Sequence, residues 1–328
     1  MKKVTRKDVA LEAGVSETVV SYVLNSNRPV DGRKKARVLE AVRKLGYVPS
    51  PAARSLKGKA ARHILFVVDD LVSEYFGSIM GELEKLVVGQ GYLFSLASDR
   101  GDEGFVDTLC RWSFDGIVIG SATISDADIQ RVIDTGMPTV ILAMNEYPRF
   151  EGRYGQVFTG LRNGTHKAMD CLRRRGRKRI AFVDSFNATG RSVNRSGYRF
   201  MGYLECLDGG DEIVVDGCSD SCALRQKLAD VYEATRFDAL FCRTDRMAAE
   251  SMLALDAMGL AVPRDVSVVG VNNSRISMYT TPRLTSLAIR KADVASATLE
   301  LFSRIKECCD PQVLTVQLET DLIERESV

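Results

Sequence analysis

The 328-residue sequence lacks any run approaching the ~18 uninterrupted apolar residues of a membrane span, and its opening MKKVTRKDVA leads into no apolar h-region of a secretory signal. A cytoplasmic protein without membrane contact is expected. Without secretion, the N-x-S/T triplets at Asn163, Asn187 and Asn194 are chance matches to a glycosylation signal. Histidine is scarce, with only His63 and His166, and the eight cysteines form no C-x-x-C pair. That spacing argues against a metal site or a disulfide framework and leaves the cysteines as small apolar residues kept reduced. Nucleotide and hydrolase motifs are missing too. The first strand pattern ends at Asp70 and runs into LVSEYFGSI without G-x-G-x-x-G, and Gly58-Lys59 lacks the upstream glycine of a P-loop. No G-x-S-x-G elbow occurs, and neither histidine sits in a recognisable triad. These absences argue against an enzyme, and no cofactor is expected.

What is present is unevenly distributed. A chain of this length exceeds one compact core, so two or more folding units are expected, and 45% hydrophobic with 27% charged residues is ordinary for a soluble globular protein. Residues 1–62 carry 15 Lys/Arg against 5 Asp/Glu, leaving 30 against 38 for the remainder. So basic an N-terminal segment is the electrostatic footprint of polyanion binding, although a solvated basic face without a partner would have the same composition.

Thr5 with Asp8 is the Asp form of a capping box, flanked by Val4 and Val9 as a hydrophobic staple. The helix it starts runs to about Ala13, where Gly14 supplies the left-handed turn. Ser16 caps the next helix, and Val15 with Val20 repeats the staple spacing. Helix, tight glycine turn, helix is the helix-turn-helix arrangement. On the second helix Val19, Val20, Val23 and Leu24 share an arc of about 140°, opposite Glu17, Thr18, Ser21, Tyr22 and Asn25. Held by its apolar side, such a helix offers five hydrogen-bonding side chains to a groove, while a generic three-helix bundle would show the same apolar arcs. A third helix is expected from Asp31 to Gly46, with Val38, Leu39, Val42 and Leu45 as its stripe and Arg33, Lys34, Lys35 and Arg37 placed to neutralise phosphates.

The run VTRKDVALEAGVSETVVSYVLN, followed by RPV, VLEAVRKLGYVPSPAARSL and a long α/β core, resembles the lactose-repressor (LacI/GalR) family of bacterial transcription regulators along nearly the whole chain. The resemblance implies that Glu17, Thr18 and Tyr22 face base edges, with Ser16, Ser21 and Asn25 nearer the backbone. Thr5, Arg33 and Lys34 complete the DNA-facing set outside that helix. Many members carry Arg where this chain has Tyr22, and tyrosine cannot form the bidentate fork to guanine, so a different half-site is expected.

The Pro-, Ala- and base-rich stretch YVPSPAARSLKGKAAR suits an exposed connection. Pro51 fits the first turn of a short helix, Ala52 to Leu56, that would not persist alone in water. By itself this reads equally as a disordered linker. The resemblance implies a hinge that folds on DNA, with Leu56 wedging into the minor groove and Ala53 allowing two hinges to approach. The expected division is a DNA-binding domain over 1–49, a hinge over 50–61 and an effector-binding core over 62–328.

Within the core, ILFVVDD, YLFSLAS, DGIVIG, PTVILA, RIAFVDS, EIVVDG, DALFCRT and VSVVGVNN alternate with helical patterns such as Ile79, Leu83, Leu86 and Val87. This predicts doubly wound parallel sheets in two similar subdomains, about 62–157 and 158–285. The tail adds a helix near 292–306 and a strand near 313–318, and the first subdomain is expected to take the C-terminal segment. The resemblance implies a periplasmic-binding-protein-like core whose chain crosses between subdomains three times, with a small molecule in the cleft. Ligands sit beyond the carboxyl ends of strands, a rule that selects Asp70, Ser73, Tyr75, Phe76, Ser121, Asn145, Ser185, Thr244, Asp245 and Asn272. The resemblance adds Arg199, three residues before Gly202-Tyr203. Each polar residue here could instead cap the helix after its strand, Asp245 above all. Asn272 and Gly160-Leu161 depart from the Asp and the Asp-Asn usual in the family, so sugar hydroxyls remain plausible partners but purines, polyols and metabolite acids stay open. The run RRRGRKR, 173–179, is better read as a helix C-terminus stopped by Gly176 than as a second nucleic-acid patch.

The expected protein is a repressor bound as a homodimer to a roughly palindromic double-stranded operator under control of a small, sugar-like effector. No heptad extension follows DLIERESV, which favours dimer over tetramer. The rival, a soluble sugar-binding sensor without DNA readout, is disfavoured by residues 1–58 and by the lack of a signal peptide.

Overall fold

A computed structural model of the chain describes residues 4–25, 28–47, 62–99, 104–112, 114–186, 193–207, 209–307 and 313–328. The chain divides into two compact units, residues 1–61 and 62–328. In the first, α1 (Arg6–Ala13), α2 (Glu17–Asn25) and α3 (Gly32–Leu45) form a small bundle. The capping box is closed at both ends: the Thr5 amide donates to the Asp8 carboxylate at 2.7 Å, and the Asp8 amide donates to Thr5 Oγ1 at 3.4 Å. Gly14 ends α1 at φ 60°, and its carbonyl accepts from Arg37 Nη2 at 3.2 Å, which ties the turn to α3. Ser16 Oγ accepts from the Val19 amide, and Asp31 accepts from the Arg33 and Lys34 amides.

Val9, Ala13, Val20, Val23, Val38 and Ala41 form this bundle's core. One expectation is corrected: Leu39 is 48% exposed, and Ala41 takes its place on the inner stripe of α3. Val38, Ala41, Val42 and Leu45 recur at i, i+3, i+4 and i+7, whereas Leu39 sits a further 100° round the helix.

In the second unit β1 (His63–Val68), β2 (Leu93–Ser98), β3 (Gly116–Ile119), β4 (Thr139–Ala143) and β5 (Tyr154–Phe158) build one sheet. A second sheet comprises β6 (Ile180–Val183), β7 (Val214–Val215), β8 (Ala239–Cys242), β9 (Ser267–Val271) and β10 (Thr285–Ile289). The C-terminal segment adds one strand to each. β11 (Val313–Gln317) pairs parallel with β5, and β12 (Thr320–Ile323) pairs antiparallel with β10. Among the described residues the strand orders are β2-β1-β3-β4-β5-β11 and β7-β6-β8-β9-β10-β12, so the two halves share one winding.

The connecting helices are α4 (Glu74–Leu86), α5 (Phe105–Cys110), α6 (Asp126–Asp134), α7 (Leu161–Arg174), α8 (Tyr198–Glu205), α9 (Ser221–Thr235), α10 (Asp245–Ala257), α11 (Ile276–Tyr279) and α12 (Lys291–Glu307). α4 buries Ile79 and Leu83 as expected but leaves Leu86 exposed, and none of the described helices is long and apolar enough to cross a membrane. α7 stops at Arg174 with Gly176 at φ 82°, and Arg177 Nε beyond it donates to Ser267 Oγ at 2.9 Å. The basic run at 173–179 thus ends a helix and braces β9.

The main chain passes between the sheets at 159–160, 290 and 318–319. Two of these crossings touch. A Cβ on Gly160, whose φ is +74°, would lie 2.5 Å from the Leu318 carbonyl oxygen and 2.9 Å from the Thr320 nitrogen. Only glycine fits at position 160.

Candidate nucleic-acid interface and ligand cleft

On the first unit, Ser16, Glu17 and Thr18 are exposed at the start of α2, while Ser21 and Tyr22 are half-buried one turn on. The Arg28 guanidinium stacks over the Tyr22 ring at 5.3 Å. Thr5, Arg33 and Lys34 are exposed, with Thr5 Oγ1 held by Asp8 at 2.6 Å. Exposed basic side chains therefore open α3 close to its Asp31 cap. Asn25 closes α2. Its side chain, Ala53, Leu56 and the rest of the expected hinge lie outside the described residues.

In the second unit the carboxyl ends of the two sheets are joined across a cleft. The Glu146 amide donates to the Ser196 carbonyl at 2.9 Å and the Tyr198 amide to the Met144 carbonyl at 3.0 Å, stapling the segment after β4 to the start of α8. Elsewhere the Arg275 amide donates to the Glu74 carboxylate at 3.0 and 3.2 Å.

Between these ties α4 and α8 bring Tyr75, 4% exposed, and Arg199, 6% exposed, into one electrostatic neighbourhood. Neither Tyr75 Oη nor Arg199 Nε has a hydrogen-bond partner, and no carboxylate of the described residues lies within 4.0 Å of Arg199. Burial first, then the Arg243 cation, lowers the Arg199 pKa to about 10, while burial raises that of Tyr75 to about 12. At neutral pH this is a charged guanidinium beside a neutral phenol, both able to donate. Arg243 itself is paired with Asp184 at 3.1 Å.

Asn145, 7% exposed, and Asn272, 8% exposed, each leave a buried Oδ1 unsatisfied. The Asn145 Nδ2 donates weakly to the Ala122 carbonyl at 3.4 Å, and the Asn272 amide donates to the Leu287 carbonyl at 2.8 Å. The cleft thus presents unsatisfied donors and unsatisfied acceptors, an arrangement that costs stability unless a ligand pairs with them.

Other expected site residues are occupied by the protein. Ser121 Oγ bonds Asp99 and the amides of Thr123 and Ile124, and Asp70 accepts from the Val72 amide. Phe76 packs against Gly120, where a Cβ would meet its ring at 2.6 Å. Thr244 caps α10 through the Met247 amide, the role left open for it. Asp245 does not cap. It accepts from the Ser274 amide at 2.6 Å, from Ser274 Oγ at 2.8 Å and from Ser286 Oγ, and burial raises its pKa to about 6. Its carboxylate is spent positioning the turn that carries Asn272. Ser73 begins α4 without a side-chain cap bond, and Ser185 is half-buried after β6.

Four neighbours escaped the sequence reading: Asp69, Asp184, Arg243 and Tyr147. Asp69, Asp184 and Arg243 each follow a strand directly in VVDD, FVDS and FCRT, so the rule that selected Asp70, Ser185 and Thr244 reaches them when moved back one residue. Tyr147, whose buried hydroxyl is unsatisfied, lies two residues past Asn145 and carried no comparable signal.

Comparison with known proteins matches this anatomy. Residues 5–50 match the model of the bacterial regulatory proteins of the lacI family, and residues 169–328 that of a periplasmic binding protein-like domain. The HTH-type transcriptional repressor PurR of Yersinia pestis bv. Antiqua (strain Antiqua) is 30% identical over 341 residues, covering 99% of this chain and 96% of the relative. The transcriptional regulator CelR in complex with cellobiose superposes with a TM-score of 0.68 at 25% identity, over 99% of this chain and 100% of that one. The lac repressor dimer bound to operator and the anti-inducer ONPF shares the fold, with a TM-score of 0.80 at 22% identity over 99% of each chain. These relatives are regulators rather than enzymes. With the headpiece, the paired sheets and a relative of this identity along essentially its full length, the chain belongs to the lacI family of bacterial regulatory proteins, DNA-binding transcriptional repressors that carry an effector-binding domain.

Proposed function

We propose that this chain, as a homodimer, reads a palindromic operator with Glu17, Thr18 and Tyr22 of α2, and that a sugar-like effector bound between the two sheets sets its operator affinity. The observation that carries the effector half is the group of buried, unsatisfied polar atoms on Tyr75, Arg199, Asn145 and Asn272. Tyr75 belongs to the half built on the first sheet and Arg199 to the other, so a ligand bonding both favours one closure of the cleft. A ligand with that differential affinity shifts the balance between operator-competent and operator-incompetent forms. The cellobiose complex of CelR supports a carbohydrate class. For the DNA half, support comes from the exposed side chains at the start of α2 and from the exposed basic side chains at the start of α3.

Dimerisation is supported by apolar side chains left in solvent: Leu253 on α10, with Met278 and the 78%-exposed Tyr279 on the adjoining α11. The structurally similar lac repressor is a dimer on its operator. One helix-turn-helix covers a half-site, so two copies make a complete reader.

A salt titration tests the DNA half. Binding of the full-length protein to duplex DNA should weaken steeply as salt rises, and Leu56→Ala should abolish operator preference while sparing effector binding. A salt-independent affinity would return the chain to the class of soluble binding proteins, and unchanged operator affinity of the variant would remove the hinge assignment.

A further inference from the structure

We infer that the Glu74–Arg275 contact is a releasable latch, which keeps the cleft closed when no ligand is bound and so sets the operator affinity of the ligand-free protein. The link to operator affinity rests on the effector reading above. The two ties between the halves differ in kind. At one, the Glu146 and Tyr198 amides bond the Ser196 and Met144 carbonyls around an antiparallel bridge of Asn145 with Gly197. These are main-chain bonds, independent of side-chain identity. At the other, the exposed side chain of Glu74 accepts the Arg275 amide with both carboxylate oxygens, at 3.0 and 3.2 Å.

Each part of the latch is fixed to its own half. Glu74 opens α4, whose next two residues, Tyr75 and Phe76, are buried, and Phe76 packs on Gly120 at the end of β3. Arg275 ends a turn in which Asn272 and Asn273 hold left-handed conformations at φ 104° and 44°. The second half pins that turn from several sides. The Asn273 amide donates to Ser286 Oγ at 3.0 Å, Arg325 Nη2 donates to Asn273 Oδ1 at 2.7 Å, and Asp245 holds the Ser274 amide and hydroxyl. Lys291 Nζ donates to the carbonyls of both asparagines. Two adjacent strained residues persist only where their surroundings over-determine them. With both backbones held this way, separating the halves breaks the contact. The latch also adjoins the unsatisfied cleft groups, since Glu74 precedes Tyr75 and Asn272 begins the turn that Arg275 ends. A ligand bonding Tyr75 and Asn272 would draw together the same two segments, so ligand and latch favour one closure.

The test is hydrogen exchange, read by mass spectrometry on the full-length, ligand-free protein, of peptides spanning 144–146 and 196–198, a tie in which Glu74 takes no part. A charge-assisted hydrogen bond in contact with solvent is worth a factor of about three to ten, so Glu74→Ala should speed exchange of the Glu146 and Tyr198 amides by that factor. Glu74→Gln keeps an acceptor oxygen without the charge and should fall between Ala and wild type. Glu74→Asp keeps the charge at the start of α4 but shortens the reach by one methylene, and should match Ala. Unchanged exchange at 144–146 and 196–198 in Glu74→Ala, or faster exchange confined to 272–279, overturns the latch and leaves the effector reading standing. Wild-type exchange in Glu74→Asp alongside fast exchange in Glu74→Ala also overturns it, because the effect would then belong to charge at the helix start. Saturating the wild type with an operator duplex selected from randomised DNA should shift the same exchange at least about threefold, since closure and operator binding are reciprocally linked. No shift would refute closure as the control of operator affinity, and with it the effector reading itself.

Discussion

Replacing Arg199 by methionine should make the ligand-free protein more stable at pH 7, not less. Folding carries this guanidinium into a site where its pKa drops from 12.5 to about 10, with burial as the leading cause. At 1.36 kcal/mol for each factor of ten in proton affinity, the native state disfavours the charged side chain by about 3 kcal/mol. The group is charged in both the folded and unfolded chain below pH 10, so that penalty is fully present at neutral pH and fades only as pH climbs from 10 towards 12.5. Methionine matches the apolar stem and brings no charge. Allowing for packing lost around the guanidinium, a gain of about 1–3 kcal/mol is expected, which for a unit of this size raises the melting temperature by roughly 3–8 °C. Thermal and urea unfolding of the full-length wild type and Arg199→Met, both without ligand, measure it. A variant that melts below the wild type at pH 7 would mean that Arg199 is already satisfied by the protein, and the argument for an unfilled binding group would fail with it.

Three further outcomes follow from local geometry. Asp245 titrates near 6 in the folded chain against an ordinary 3.8, so its ionised form is penalised above pH 6 and the penalty is relieved as pH falls towards 4. Relative to Asp245→Asn, the wild type should therefore gain up to about 3 kcal/mol between pH 7 and pH 4. Parallel urea midpoints for the two proteins across that range would contradict this. Gly160→Ala pushes a Cβ against the backbone at Leu318 and Thr320 in a left-handed conformation, and a loss of about 2–4 kcal/mol is expected in urea unfolding. A loss below 0.5 kcal/mol would show that the two crossings yield easily. Tyr22→Arg exchanges the ring beneath Arg28 for a guanidinium that can fork onto guanine, so selection from randomised duplex should move base preference within each half-site, and an unaltered profile would show that residue 22 does not face the bases.

The first unit was legible because its signals are local. Thr5, Asp8, Gly14, Ser16, Asp31 and Gly46 act within a few residues of themselves, and each occupies the cap or turn its neighbours imply. Leu39 was misplaced because the inner face of α3 is chosen by what α1 and α2 present, and Ala41 is the smaller fit. Continuous apolar runs likewise exposed eight strands. β5, β10 and β12 stayed hidden because YGQVF, TSLAI and TDLI mix glycine and polar residues into buried strands. Gly155 in β5 is explained only by the Leu301 side chain of α12, 3.0 Å from where a Cβ would stand. In the cleft, strand ends drew attention to the right neighbourhood but could not rank its members. Asp245 and Ser121 look identical to ligand-binding residues until their partners, Ser274 with Ser286 and Asp99 with Thr123, are known.

β11 and β12 place two residues, Leu318 and Glu319, between strands that complete different sheets. β11 must find β5 159 positions upstream, as in the Val313–Tyr154 pair, and β12 must find β10, so neither half can close its hydrogen-bonded border until residues 313–323 have left the ribosome. During synthesis both borders stand open together, offering bare strand edges to other nascent chains, and both are sealed by one short ribbon. Both sheets therefore gain their last strands together, once residues 313–323 are available, in contrast to the headpiece, whose helices are held by contacts close in sequence.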